Sequence, residues 1–222
     1  STLSRATEAG VKLSYGVNRR YHSTYRQAKQ LIRDGEIGDV IEIVVEHGES
    51  QLFWTHPHSM DLILFMGGST AVGTVQSKLV EKSVELKSPN LVDSDPVVAN
   101  AHFTFIIGLT ANLVRAKGQN VRIAGTSGNL VVHANGAFIE VHRKGHASSP
   151  YCLEQKIIHA LPSQSATVTA FTELIASVTR QAPLSIEQTE IEVGMRMMIG
   201  CVWSHVNEGR SISLSDVPLE FV

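Results

Sequence analysis

The rhythm of apolar and polar positions changes twice along this chain. Near the start the period is helical: Tyr25, Ala28, Leu31 and Ile32 follow Ser23, and Gly35 stands near the end of the run. Ahead of it LSRATEAG closes on Gly10 as a helix end, and Val11, Leu13, Tyr15 and Val17 alternate as a strand. After Gly38, VIEIVVEHG predicts a strand with Ile41, Ile43 and Val45 on one side and Glu42 and Val44 on the other. FWTHPHSMDLILFMGG then interrupts the alternation: Pro57 suits a first helical position, and Gly67 with Gly68 supplies a left-handed stop. Strand-like runs follow at about 72–79, 97–107, 110–117, 121–124, 129–133 and 137–143. Gly108, Gly118, Gly125, Gly128 and Asn135-Gly136 punctuate them, as antiparallel hairpins require.

Two helices close the chain. The first, about 165–180, carries Phe171, Leu174, Ile175 and Val178 on one stripe. The second opens with Ser185 and Gln188 as a capping box, buries Ile191, Met195, Met198 and Val202, and stops at Gly209. Grouped strands with helices at the ends predict an α+β domain, a large, mainly antiparallel open sheet with helices on one face. One layer of each would leave Phe103, Phe105, Leu113 and Val131 without cover, which predicts a homo-oligomer packed through the open sheet face.

Length and charge narrow the function classes. The 222 residues suit one large domain, and 19 Lys plus Arg against 21 Asp plus Glu, without a basic run, argue against nucleic acid as a partner. No apolar run approaches the ~20 residues a membrane-spanning helix needs, and STLSRATEAG is not a signal peptide. Two cysteines, Cys152 and Cys201, lie far apart and in no metal-binding pattern, which fits a reducing, cytoplasmic setting.

The chemistry concentrates at the start of the central helix. His58 and Asp61 stand three residues apart, on a face shared with Leu62 and Phe65, so an imidazole there can meet a substrate. The plainer alternative is a histidine bonded to a nearby carbonyl and an aspartate favoured by the helix dipole. His56-x-His58 is also half of a metal site, with His47 or Glu49 nearby, which would suit a metal-dependent hydrolase. No GxGxxG follows a strand and no Walker loop or GxSxG elbow occurs; AGTSGN at 124–129 reads as a hairpin with two backbone turns.

Four ordered segments carry a resemblance: EAGVKLSYGVNRRYHSTYRQAKQLIRDGEIGDVIEI at 8–43, THPHSMDLILFMGG at 55–68, IAGTSGNLVV at 123–132, and WSHVNEGRSISL at 203–214. Together they resemble the glucose-fructose oxidoreductase, inositol dehydrogenase and related (Gfo/Idh/MocA) oxidoreductases over nearly the whole chain. The resemblance implies a carboxy-terminal domain of dihydrodipicolinate-reductase-like fold at 18–222, for substrate binding and oligomerisation. It implies that residues 1–17 are the last helix and strand of an amino-terminal Rossmann domain, whose dinucleotide glycines and EKP lysine would lie upstream of Ser1. NAD or NADP would serve the full-length protein, none would bind this fragment, and the fragment alone would be inactive.

On the same resemblance His58 is the catalytic acid or base, in an H-x-x-D-L pattern with Asp61, and the substrate is a sugar, cyclitol or similar polyhydroxy compound. Arg19, Arg20 and Tyr21 match the family's N-R-R-aromatic segment and are expected at the substrate, with a structural ion pair as the alternative for an arginine. Many members carry an aspartate four residues before the histidine, where this chain has Trp54. Trp54 would stack on a sugar face or else be a core or cleft-lining aromatic, His56 would supply a second polar group, and Thr55 would cap the helix. The replacement leaves room for a second reading, a noncatalytic ligand-binding or assembly module.

Overall fold

The computed structural model describes residues 2–81, 84, 86–88, 91–144, 153–159 and 164–217. Its elements are α1 (Thr2–Glu8), a 3₁₀ turn (Asn18–Tyr21), α2 (Ser23–Arg33), β1 (Val40–Glu46), α3 (Pro57–Gly67), β2 (Val72–Leu79), β3 (Leu86–Ser88), β4 (Leu91–Val92) and β5 (Val98–Phe105). They continue through β6 (Thr110–Val114), β7 (Val121–Gly125), β8 (Gly128–His133), β9 (Phe138–Lys144), β10 (Leu153–His159), α4 (Ala166–Arg180), α5 (Gln188–Val206), β11 (Ile212–Ser213) and a final 3₁₀ turn (Leu214–Asp216).

Nine strands form one sheet in the order β10-β9-β8-β7-β1-β6-β5-β2-β11. All pairs are antiparallel except β1 with β6, which run parallel. The α+β expectation therefore holds. One face is covered: α3 packs on β1, α5 on β2, and α2 on β8 and β9. Leu62, Leu64, Met197, Met198 and Val202 meet Ile43, Val75, Phe103 and Ile123 there, all removed from water. Gly200 permits the close approach of α5, since a Cβ there would stand 2.7 Å from Val75 Cγ1.

Several expectations need correction. Phe103, Phe105 and Leu113 lie beneath the helices; only Val131 faces the open side, where long polar neighbours bury it. That open face is a polar ladder rather than an apolar sheet. Asn112 bonds Glu42 and His102, Asn120 and Arg122 bond Glu46, and Glu140 accepts from His133, His142 and Gln155. Residues 11–17 form no strand, because an extended segment becomes one only with a hydrogen-bonded neighbour and none stands there among the described residues. Ile41 is exposed rather than aligned with Ile43, because a register shift between Val40 and Glu42 releases it from the pairing with β7.

The stripe Phe171, Ile175 and Val178 on α4 also points to solvent, since α4 packs on the Asn18–Tyr21 turn and buries Ser177. Met195 is 39 % exposed rather than core, its sulfur meeting the Tyr15 hydroxyl at 3.7 Å. The capping box of α5 is Glu187 with Glu190, two residues beyond the expected pair. Cys201 is buried and free, and Cys152 falls outside the described residues. No helix among the described residues is long and apolar enough to cross a membrane.

Candidate active site

The start of α3 is fixed from three directions. Pro57 occupies the first turn, and Gly68 ends the helix at φ 66°, as its sequence requires. The loop before it is tied by Leu52 N–H to the Pro96 carbonyl (2.8 Å), and the Asp95 carboxylate accepts from the amides of Phe53 (2.6 Å) and Trp54 (2.9 Å). Beyond the end of β1, His47 stands against this loop, its ring edge-on to His56 with centroids 5.7 Å apart. The Asn18–Tyr21 turn brings Arg19 and Arg20 to the same helix from below. His56 is the N-cap, without a side-chain cap bond; Thr55 is not.

His58 carries the chemistry of this corner. Its Nδ1 is sealed from solvent without a partner, which leaves Nε2 as the nitrogen a ligand can reach. Burial, with Arg19 and His47 nearby, pushes its pKa down to about 4, so the ring is neutral at pH 7 and able to accept a proton. His56 is 2 % exposed, its Nδ1 3.1 Å from Ser59 Oγ and its Nε2 sealed and unpaired. Burial, His47 and Arg19 push it down to about 3. His47 is lowered for the same first reason, and its Nε2 is likewise buried without a partner.

Asp61 does not share this corner. Its Oδ1 lies 2.8 Å from Arg20 Nε and 2.6 Å from the Arg20 Nη2, while Oδ2 is sealed and unpaired. Arg20 also grips Glu190 through two bonds of 3.0 Å and the Ser185 carbonyl at 2.6 Å. Burial works against the Arg20 cation, but the two carboxylates outweigh it and hold the guanidinium above its ordinary value. Burial pushes the Asp61 carboxyl up to about 6 against the pull of Arg20. The expectation that Arg20 and Asp61 touch substrate is corrected here, because a guanidinium committed on every side has no donor to spare.

Tyr21 is corrected too: it is buried, with the Arg26 guanidinium 5.4 Å above its ring. Trp54 is 80 % exposed and so not a core residue. Arg19 keeps a half-buried guanidinium beside the histidines. The structure therefore brings together Arg19, His56 and His58, adds His47, and sets Arg20, Tyr21 and Asp61 apart. Asp95 and Glu190 carried no sequence signal of their own, since they reach the site from the loop before β5 and from α5, and His47 carried only that of a possible metal ligand.

The larger surface depressions lie elsewhere. One of about 780 Å³ runs between α2, the end of α3 and the segment before α5, and one of about 410 Å³ lies on the open sheet face between Glu42, Arg122 and Glu140. His58 lines neither of them. Among the described residues no group of three or more His, Cys, Asp or Glu is placed to hold a metal ion, which removes support from the metal-site reading of His56 and His58. Gly125 and Gly128 frame the β7–β8 turn, as expected; a Cβ at Gly125 would stand 2.2 Å from the Ile37 carbonyl oxygen.

No family model and no curated protein sequence matches the chain. Its fold, however, recurs among solved structures. An aldose-aldose oxidoreductase from Caulobacter crescentus, complexed with glycerol, superposes with TM-score 0.73 at 16 % identity over 95 % of this chain and 66 % of its own. A putative NADPH-dependent oxidoreductase from Desulfitobacterium hafniense gives 0.74 at 15 % over 96 % and 68 %. An oxidoreductase from Agrobacterium radiobacter, in complex with NAD⁺, L-tartaric acid and magnesium, gives 0.71 at 15 % over 96 % and 70 %. The chain thus spans about two thirds of the length of these proteins. It shares the fold found in about two thirds of each of these oxidoreductases.

Proposed function

We propose that this chain is the substrate-binding and assembly domain of an NAD(P)-dependent oxidoreductase acting on a small polyhydroxy compound, with His58 as the proton-transfer residue. The observation that carries the reading is the neutral imidazole at the mouth of α3, with one nitrogen sealed and the other accessible. The fold adds support, because the solved structures similar to it include a putative NADPH-dependent oxidoreductase and an oxidoreductase with NAD⁺ bound, although fold alone never assigns a substrate.

Among the described residues the glycine pair Gly125 and Gly128 forms a hairpin turn rather than a dinucleotide cradle. Residues 1–17 are, on this reading, the end of a nucleotide-binding domain. A bound nicotinamide would supply the hydride acceptor or donor. What this chain does is take the hydroxyl proton on His58 Nε2 during oxidation and return it during reduction. Trp54, projecting beside the helix, offers an apolar wall for the C–H face of a polyol. Assembly through the open sheet face stays in the proposal on a new footing, since interfaces tolerate satisfied polar ladders as well as apolar patches. Light scattering at micromolar concentration tests it: a monomer contradicts it.

The test is hydride transfer by the complete protein, with NAD⁺ and NADP⁺, followed at the nicotinamide absorbance. His58→Ala is expected to cut turnover about 10²–10⁴-fold with cofactor affinity unchanged. Unaltered turnover removes His58 from the reaction. The second reading, a noncatalytic binding module, is favoured by one observation: among the described residues no carboxylate orients His58, and Trp54 stands at the position where the resemblance leads one to expect an aspartate. Absence of hydride transfer to either cofactor by the complete protein decides for it.

A further inference from the structure

Arg19 and Arg20 are adjacent in sequence and opposite in circumstance. Arg20 is enclosed and paired with two carboxylates. Arg19 is half-buried, and its guanidinium has no ion pair or hydrogen bond among the described residues. The acids that could neutralise it are engaged elsewhere: Asp61 and Glu190 with Arg20, Glu49 with Arg115, and Asp95 with the amides of Phe53 and Trp54.

What surrounds Arg19 is neutral and unsatisfied. Its charge is felt by His47, His56 and His58 alike, and partial burial pulls Arg19 itself below its ordinary value. Three sealed ring nitrogens, His47 Nε2, His56 Nε2 and His58 Nδ1, lack partners, and His56 is almost wholly enclosed. The amides of His58 and Ser59, at the start of α3, find no carbonyl among the described residues, so the helix adds positive potential to the same corner. A partly desolvated cation without a counter-ion, beside the unpaired amides of a helix start, is a place for an anionic group.

We propose that the ligand of this site carries a carboxylate, held by the Arg19 guanidinium beside His58, so that the substrate class is polyhydroxy acids rather than neutral sugars or cyclitols. The claim rests on the proposed function for the site but names a different property, charge selectivity. A guanidinium takes a carboxylate through two parallel N–H···O bonds, which places the adjoining hydroxyl-bearing carbon next to the anion. His58 is near enough to Arg19 to feel its charge. His47, edge-on to His56 with its Nε2 sealed, forms the back of this corner and does not itself bond the ligand.

Binding of D-gluconate and D-glucitol to this chain tests the idea, because the two polyols differ only in carrying a carboxylate or a hydroxymethyl group at C1. Calorimetry or imidazole NMR at pH 7.5 is expected to give at least a tenfold tighter dissociation constant for gluconate, and Arg19→Gln is expected to erase the difference. Equal affinities, no binding of gluconate, or a preference that survives Arg19→Gln overturns the proposal. Binding is read without turnover, so loss of the catalytic reading and loss of charge selectivity are separate results. In the complete protein, Arg19→Gln should raise KM for an aldonate at least tenfold and leave the dissociation constant for NAD(P) unchanged. A weakened cofactor with unchanged KM would assign the arginine to the dinucleotide phosphates instead, and also overturns the proposal.

Discussion

Two clusters meet α3 three residues apart, and they differ in nearly every physical respect. Around Asp61 the charges are enclosed and matched: Arg20 joins the Asn18–Tyr21 turn to α3 and α5 through Asp61, Glu190 and the Ser185 carbonyl. Around His58 the groups are neutral, three nitrogens lack partners, and the nearby cation is uncompensated. A closed cluster does its work in the folded state and has nothing left for a ligand. An open one stores unsatisfied capacity, which a protein tolerates mainly where something binds. Sequence spacing alone gave His58 and Asp61 one face and one purpose; geometry separates them.

The largest effect should come from breaking the closed cluster. Arg20→Met leaves Asp61 and Glu190 buried without a cation and is expected to cost about 3–5 kcal/mol of stability in urea unfolding. Arg19→Met, one residue away, should cost less than about 1 kcal/mol, because it removes no pair. Similar losses for the two would erase the distinction between the clusters.

The open cluster has its own signature in pH. His58 titrates near 4 in the folded chain and near 6.5 unfolded, so the unfolded state binds the proton first as pH falls. The stability this contributes is complete above about 6.5 and is lost toward 4. Asp61, raised to about 6, works in the opposite sense, gaining stability as pH falls through that value, so the wild-type slope alone mixes the two. The difference between wild type and His58→Gln isolates the histidine. It should change by about 1–2 kcal/mol between pH 7 and pH 4.5, after allowing for partial exposure of the ring. A difference independent of pH would mean that the imidazole is not held neutral.

Smaller effects bound the comparison. Gly125→Ala forces a Cβ against the Ile37 carbonyl and should cost about 1–3 kcal/mol, which thermal unfolding would show; no change would mean that the hairpin does not pack as described. Phe171→Ser on the solvent side of α4 should stay within about 0.5 kcal/mol. A larger loss would mean that this stripe is covered.

Much of this fold was legible because it is written locally. Pro57 and Gly68 bracket α3, and the Gly-punctuated alternation from Val72 to His133 delivers hairpins, since turn chemistry and period two are properties of short segments. What escaped is non-local. The parallel pairing of β1 with β6 joins residues nearly seventy apart, and β10 has no clean alternation to mark it. The stripe on α4 obeys helical spacing yet faces water, because spacing says which residues share a side and not what lies opposite.

At the site, His58 was legible from its helix-start context, whereas Arg19 and Arg20 were indistinguishable, since one step along a 3₁₀ turn sends neighbouring side chains in different directions. Glu190, which decides the matter for Arg20, comes from a helix 170 residues later.

The most direct test of the account is the pH profile of kcat/KM for hydride transfer by the complete protein, in wild type and His58→Ala. The account predicts a wild-type rate that falls below one acidic pKa, and a variant slowed at least a hundredfold that has lost that limb. A variant as fast as wild type with the same limb would contradict it.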